Sequence, residues 1–204
     1  MRLVLEKRAE QSAKMALLSP VIALCLTVIA GGVIFALRGI NPFEGLYVYF
    51  IEPLTDPWSR EQLIAKAAPL VLIGAGLAVC YAANVWNIGA EGQYVIGALC
   101  AAGVGIAAGT AGGPLVITAM VLAGIVGGAA WAAGPAWLKT RFDVNEILST
   151  LMLTYVSYQV LGYLVGGPWK DPNGRNFPAT APLAENQTLP ILFPGSTVHL
   201  GVLI

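Results

Sequence analysis

Five stretches of this chain stay apolar for long enough to cross a bilayer, and that feature removes most folds open to 204 residues. A transmembrane helix takes about 20 apolar residues. The spans read as 17–37, 63–83, 92–108, 115–138 and 147–165, with a sixth starting at His199 and incomplete at Ile204. The runs are continuous; a membrane barrel would alternate apolar and polar positions over about 10 residues. Charged residues make up only 11% of the chain, against about 25% in soluble domains. The fold class is therefore all-α: a polytopic transmembrane helical bundle with about five complete spans and the start of another.

The same sequence excludes several functions. Basic and acidic residues balance at 11 each, so nothing points to nucleic acid. No G-x-x-x-x-G-K-[ST] motif is present, so the chain has no P-loop of its own. Gly103-Val-Gly105-Ile-Ala-Ala108 loosely matches a dinucleotide fingerprint, but inside a span its glycines read as helix-packing contacts. The pairs Gly105/Gly109, Gly109/Gly113 and Gly124/Gly128 share that spacing. Cys25, Cys80 and Cys100 lie in apolar runs without ligand spacing and read as small buried hydrophobes. His199 is the sole histidine, and no metal site or catalytic set can be assembled. The chain reads as a non-enzyme that binds no cofactor itself.

Polar connections separate the spans. Residues 1–16 carry Arg2, Lys7, Arg8 and Lys14 and suit a short surface helix. Pro20 falls in the first turn of span one, where a missing N–H is tolerated. Gly31-Gly32 permits close helix approach. Residues 39–62 read as a proline-bearing connection whose segment Tyr47–Ile51 is too short to span and suits the interface. Residues 139–146 read as a charged loop and 166–198 as an extended proline-rich one. With the N-tail inside, residues 1–16 and 139–146 place six of the eleven basic residues on the inner side.

Two polar interruptions carry the chemistry. The first is Asn84-Val-Trp-Asn87-Ile-Gly89-Ala-Glu91-Gly92-Gln93, set between spans two and three. Glu91 has two compatible roles. It can sit at the start of the third helix as a cap, favoured by the dipole, or it can line a polar cavity. Interrupted helices with exposed N-termini are a common way to build substrate sites in membranes. The second runs from Asp143 through Asn145 and Glu146 to Tyr155. Asp143 or Asn145 can cap span five, and Thr150, Thr154 and Gln159 read as one polar stripe along it. The candidate pathway residues are thus Asn84, Asn87, Glu91, Gln93, Thr150, Thr154 and Gln159.

At these two interruptions the chain resembles the permease subunits of bacterial ABC importers for nucleosides and simple sugars, which are related to the branched-chain amino acid permeases. The resemblance rests on Asn87-Ile-Gly89-Ala-Glu91-Gly92-Gln93, on Val144-Asn145-Glu146-Ile-Leu-Ser-Thr-Leu-Met-Leu-Thr-Tyr155, and on Gly167-Pro-Trp-Lys-Asp-Pro-Asn-Gly174 with Asn176-Phe-Pro178 and Ala181-Pro182. It implies a multi-pass protein of the bacterial inner membrane with a cytoplasmic N-terminus. Its partners would be a second permease subunit, a cytoplasmic ATPase subunit that uses the ATP, and an external substrate-binding protein. Family members are longer, so residues 1–204 would be the N-terminal part of one permease domain. A secondary transporter or channel, or a membrane scaffold without transport activity, is the alternative. The first of these would need ion-coupling acids or an inverted repeat, and neither is seen.

Overall fold

The computed structural model describes residues 13–174, 178–193, 195–196 and 198–203. The chain forms two units, Met1–Leu63 and Ile64–Ile204. The expected surface helix over residues 1–16 falls, up to residue 12, outside the described residues, as do Asn176 and Ile204 of the other expected segments.

The first unit holds α1 (Ala13–Leu37), α2 (Pro42–Phe50), α3 (Glu52–Thr55) and the opening turns of α4 (Pro57–Ala82). Because α1 already begins at Ala13, Pro20 lies inside the helix and not in its first turn. The chain reverses at Gly39, whose φ of +75° favours glycine. Asn41 then caps α2, its Oδ1 accepting from the Phe43 N–H at 3.1 Å. The hairpin closes tightly: a Cβ on Gly45 would stand 2.8 Å from the Phe35 ring, and Gly31 and Gly32 face Leu46.

The connection expected over 39–62 is thus largely helical. Pro42, Pro53 and Pro57 fall at the first or second position of their helices, where proline starts a helix instead of breaking it. At nine residues, α2 rises only about 13 Å and is too short to span. The Asp56 carboxylate accepts from the Ser59 N–H at 2.8 Å at the start of α4. That bond, aided by the Ser59 side chain and Arg60, holds the Asp56 carboxyl below its ordinary value.

The second unit holds the rest of α4 with α5 (Ala90–Ala108), α6 (Pro114–Phe142), α7 (Glu146–Gly166) and the long loop that follows. Residues Leu17–Leu37 of α1, together with α4, α5, α6 and α7, are long and apolar enough to cross a membrane. Among the described residues there is no strand, only isolated bridges. α6 runs past the expected end at 138, so Lys139 and Arg141 occupy its last turn, where the helix dipole favours cations. The charged loop shrinks to Asp143–Asn145. The membrane's demand for apolar side chains ends before the helix does.

Close backbone packing in this unit is among α5, α6 and α7. A Cβ on Gly97 of α5 would meet the Gly124 carbonyl at 3.0 Å, and one on Gly128 of α6 would meet the Gln93 carbonyl at 3.2 Å. The Gly124/Gly128 pair is therefore a contact face. Gly109 and Gly113 are not: both sit at positive φ in the turn between α5 and α6. Gln187, buried in a 3-10 turn at Glu185–Gln187, secures the long loop. Its Nε2 donates to the carbonyls of Gly105, Gly109 and Ala111 at 3.1, 2.9 and 2.8 Å.

Candidate functional site

Both polar interruptions start where a helix ends on a left-handed Asx residue. Asn84 has φ 56° and Asp143 has φ 53°; among L-residues Asn and Asp adopt this conformation most readily. At α4 the Asn84 N–H donates to the Tyr81 carbonyl (3.0 Å) and the Val85 N–H to the Cys80 carbonyl (2.9 Å), which closes the helix end. The Asn84 side chain is exposed in this turn, and its role here is to end the helix.

Asn87 builds the break itself. Its Oδ1 accepts from the Gly89 N–H at 3.0 Å and from Gln93 Nε2 at 3.3 Å, while its Nδ2 donates to Gln93 Oε1 at 3.1 Å. Two amides six residues apart are thereby clamped face to face, and the irregular segment is fixed to the first turn of α5. The Ile88 N–H, left over by the break, donates to Thr150 Oγ1 on α7 at 3.2 Å. That hydroxyl in turn donates to the Glu146 carbonyl at 2.7 Å.

The second interruption is charged. Asn145 caps α7, its Oδ1 accepting from the N–H groups of Ile147 (2.9 Å) and Leu148 (3.3 Å). Asp143 does not cap α7: it closes α6, and its carboxylate turns back to Lys139 Nζ at 2.9 Å. Lys139 also reaches Glu146 at 3.3 Å, and the Ile88–Thr150 bond ties the first interruption to the same helix start. The two interruptions therefore form one cross-linked unit. Asn87, Gln93, Lys139, Thr140, Glu146 and Thr150 converge on a cavity of about 210 Å³ there.

The remaining candidates lie elsewhere. Thr154 is buried, but against Gly92: a Cβ on that glycine would stand 2.8 Å from the Thr154 Cα. Ser157, fully buried, continues the same face and donates to the Thr154 carbonyl at 2.7 Å. Thr150, Thr154 and Ser157 at i, i+4, i+7 share one face of α7, with Thr154 and Ser157 packed on Gly92 and Thr150 at the cavity of the interruptions. Gln159 is exposed and falls on the other side of α7, since nine residues at about 100° each bring it about 180° from Thr150. Glu91 lies in the first turn of α5 but does not bond back to its own backbone. The helix cap position is Gly89, and Glu91 instead accepts the Tyr158 hydroxyl of α7 on an exposed face. Sequence reasoning passed over Tyr94, which borders three cavities of this unit. An aromatic beside a polar break reads equally well as an interfacial anchor.

Comparison with known proteins places this architecture. The profile described as branched-chain amino acid transport system / permease component matches residues 59–200, from the start of α4 into the final loop. A glucose ABC transporter permease protein of Haloferax volcanii is 35% identical over 99% of this chain and 55% of its own length. A guanosine ABC transporter permease protein of Bacillus subtilis is 28% identical over 92% of this chain and 54% of its own length. A nucleoside ABC transporter permease protein of Lactococcus lactis is 28% identical over 68% and 38%. The chain spans about half the length of the first two relatives. No solved structure matches it. With the profile match running through α4, both interruptions and the long loop, the chain belongs to the family of branched-chain amino acid transport system permease components.

Proposed function

We propose that this chain is part of the permease subunit of an ATP-binding-cassette importer and forms part of the translocation pathway for a small polar solute, a nucleoside or a simple sugar. The observation that carries the reading is similarity along 99% of the chain to a glucose permease, joined by guanosine and nucleoside permeases. In this reading residues 1–204 are the N-terminal part of one permease domain in the bacterial inner membrane. A second permease subunit, a cytoplasmic ATPase subunit and an external binding protein complete the machine, and the ATPase uses the ATP.

The charge distribution supports a cytoplasmic N-terminus. That orientation puts the cross-linked interruptions on the inner side and the Gln187-anchored loop outside. Asn87, Gln93 and Thr150, which meet at the inner cavity, are the pathway residues best supported by geometry. The complete transporter in proteoliposomes should take up labelled glucose or guanosine only with ATP inside the ATPase compartment. Uptake that persists without ATP would establish the secondary-transporter alternative instead.

A further inference from the structure

α6 is longer than a hydrocarbon core needs, and its excess ends in an exposed arginine. Its 29 residues rise about 43 Å, close to the roughly 40–45 Å of a bilayer with its headgroups. The last turn therefore falls at headgroup depth, with Trp137 one turn deeper. Lys139 and Arg141 share that last turn but not a side of the helix. Two residues at about 100° each put them about 200° apart. Lys139 turns to the cavity at the interruptions and is paired with Asp143 and Glu146. Arg141 is exposed, and among the described residues it has no ion pair. The carbonyls of Leu138 and Lys139 are taken up by the N–H groups of Val144 and Asp143, at 3.4 and 3.0 Å, so the helix end closes without the Arg141 guanidinium.

On the Arg141 side, α6 presents an apolar line. Leu122, Val126, Ala130, Ala133 and Trp137 follow one another at steps of three or four residues, and all are exposed. The Trp137 ring is 59% exposed and meets Phe142 edge to face, with centroids 5.3 Å apart. Side chains on a helix lean toward its N-terminus, so Arg141 leans back over the turn of Trp137 toward the membrane. The face thus runs from aliphatic side chains through an aromatic edge to an unpaired cation. Lipids are built in the same order, from acyl chain through glycerol to headgroup. Indole rings favour the headgroup level, and a guanidinium matches a phosphate with two parallel hydrogen bonds. The charge complementarity selects a negative headgroup.

We propose that this exposed face of α6 holds an anionic phospholipid of the leaflet on the interruption side. Its phosphate sits on the Arg141 guanidinium, its glycerol region beside Trp137, and an acyl chain along Ala133, Ala130 and Val126. Two basic residues of one helix turn then have separate tasks: Lys139 ties the interruptions together, and Arg141 fixes the depth of α6 in the bilayer. The proposal needs only that α6 crosses the membrane, and it stands whichever solute the protein handles.

Trp137 is a native reporter of the face. The full-length protein is placed in phosphatidylcholine nanodiscs that contain an equal minor share of either brominated phosphatidylglycerol or brominated phosphatidylcholine. The fluorescence quenching that disappears in Trp137→Phe is the signal from this site. Phosphatidylglycerol should occupy it about fivefold more strongly than phosphatidylcholine, the weight of one basic residue at an anionic surface. Arg141→Gln should bring that ratio to about one, Arg141→Lys should keep most of the preference, and added salt should weaken it. Thermal unfolding of Arg141→Gln in phosphatidylcholine alone should match that of the unsubstituted protein, which separates lost lipid binding from lost folding. If both brominated lipids quench Trp137 equally, with and without Arg141, the face has no headgroup site and the proposal is overturned. It is overturned too if neither lipid quenches Trp137, because a protein segment or partner subunit then covers the face. Quenching by aqueous iodide in place of the lipids would put the face outside the bilayer, free for a soluble subunit, and would overturn it likewise.

Discussion

Gly92 and Gly97 on α5 bring backbone against backbone, while Gln93 and Tyr94 on the same helix border open space. Toward α6 and α7 the helix has almost no side chain at the contact. Gly97 lies on Gly124, Gly128 on the Gln93 carbonyl, Cys100 on Gly127, and Gly92 on Thr154. Small residues suit that role in a bilayer, where helix association depends on close packing and hydrogen bonds because lipid tails are as apolar as leucine. Toward α4 the first turns of the same helix carry an amide and a phenol, Gln93 and Tyr94, that border cavities. The two faces show that a polar residue in a span does not by itself mark a path. Thr154 and Ser157 are polar and sealed; the open face is marked by missing neighbours.

Breaking the sealed face should have the largest effect. Gly92→Leu would drive a Cβ into the Thr154 backbone, which cannot swing away, and should cost about 3 kcal/mol or more. Thermal unfolding of the purified full-length protein in detergent should show this as a large loss of folded material. Gly74→Ala, on α4 with nothing within 4 Å of the new methyl, should change stability by less than about 1 kcal/mol. If the two substitutions behave alike, the contrast between the faces is wrong.

Thr150→Val comes next. It strips the buried acceptor from the Ile88 N–H and should cost about 1–3 kcal/mol, with Thr150→Ser recovering most of it. Asn145→Ala removes the α7 cap for about 1 kcal/mol by the same assay. Lys139→Met should lower stability less than Asn145→Ala does, because its ion pairs are partly exposed.

The smallest effect concerns pH, in the first unit. An unfolded Asp56 titrates near its ordinary value of 3.8, and the folded carboxyl titrates below it. The cap's contribution is therefore complete above the ordinary value and is lost as pH falls through the lowered one. Asp56→Asn should flatten the acid limb of a stability profile, its small cost appearing at neutral pH and vanishing in acid.

The spans were legible because hydropathy over 20 residues is a strong signal, and the interruptions because polar residues stand out against it. Helix ends were less legible. Hydropathy stops where the membrane stops, whereas α4 and α6 continue for additional polar turns. Asn87 and Gln93 were recognised as polar but not as each other's partners. Two amides six residues apart meet only because the chain breaks between them. Gln159 shares polarity with Thr150 but lies on the opposite side of α7, whereas Ser157 has the spacing of one face. The Gln187 anchor left no local signal, since the carbonyls it serves lie 76–82 residues away.

The central claim is that one face of α5 is closely packed and the other borders open cavities, and two native cysteines sit on the two sides. Cys100 packs on Gly127 within the seam, and Cys80 borders the cavities. In the full-length protein, labelling by a small water-soluble thiol reagent should proceed at Cys80 and not at Cys100, by mass spectrometry of the peptides. Equal labelling, or faster labelling of Cys100, would contradict the account.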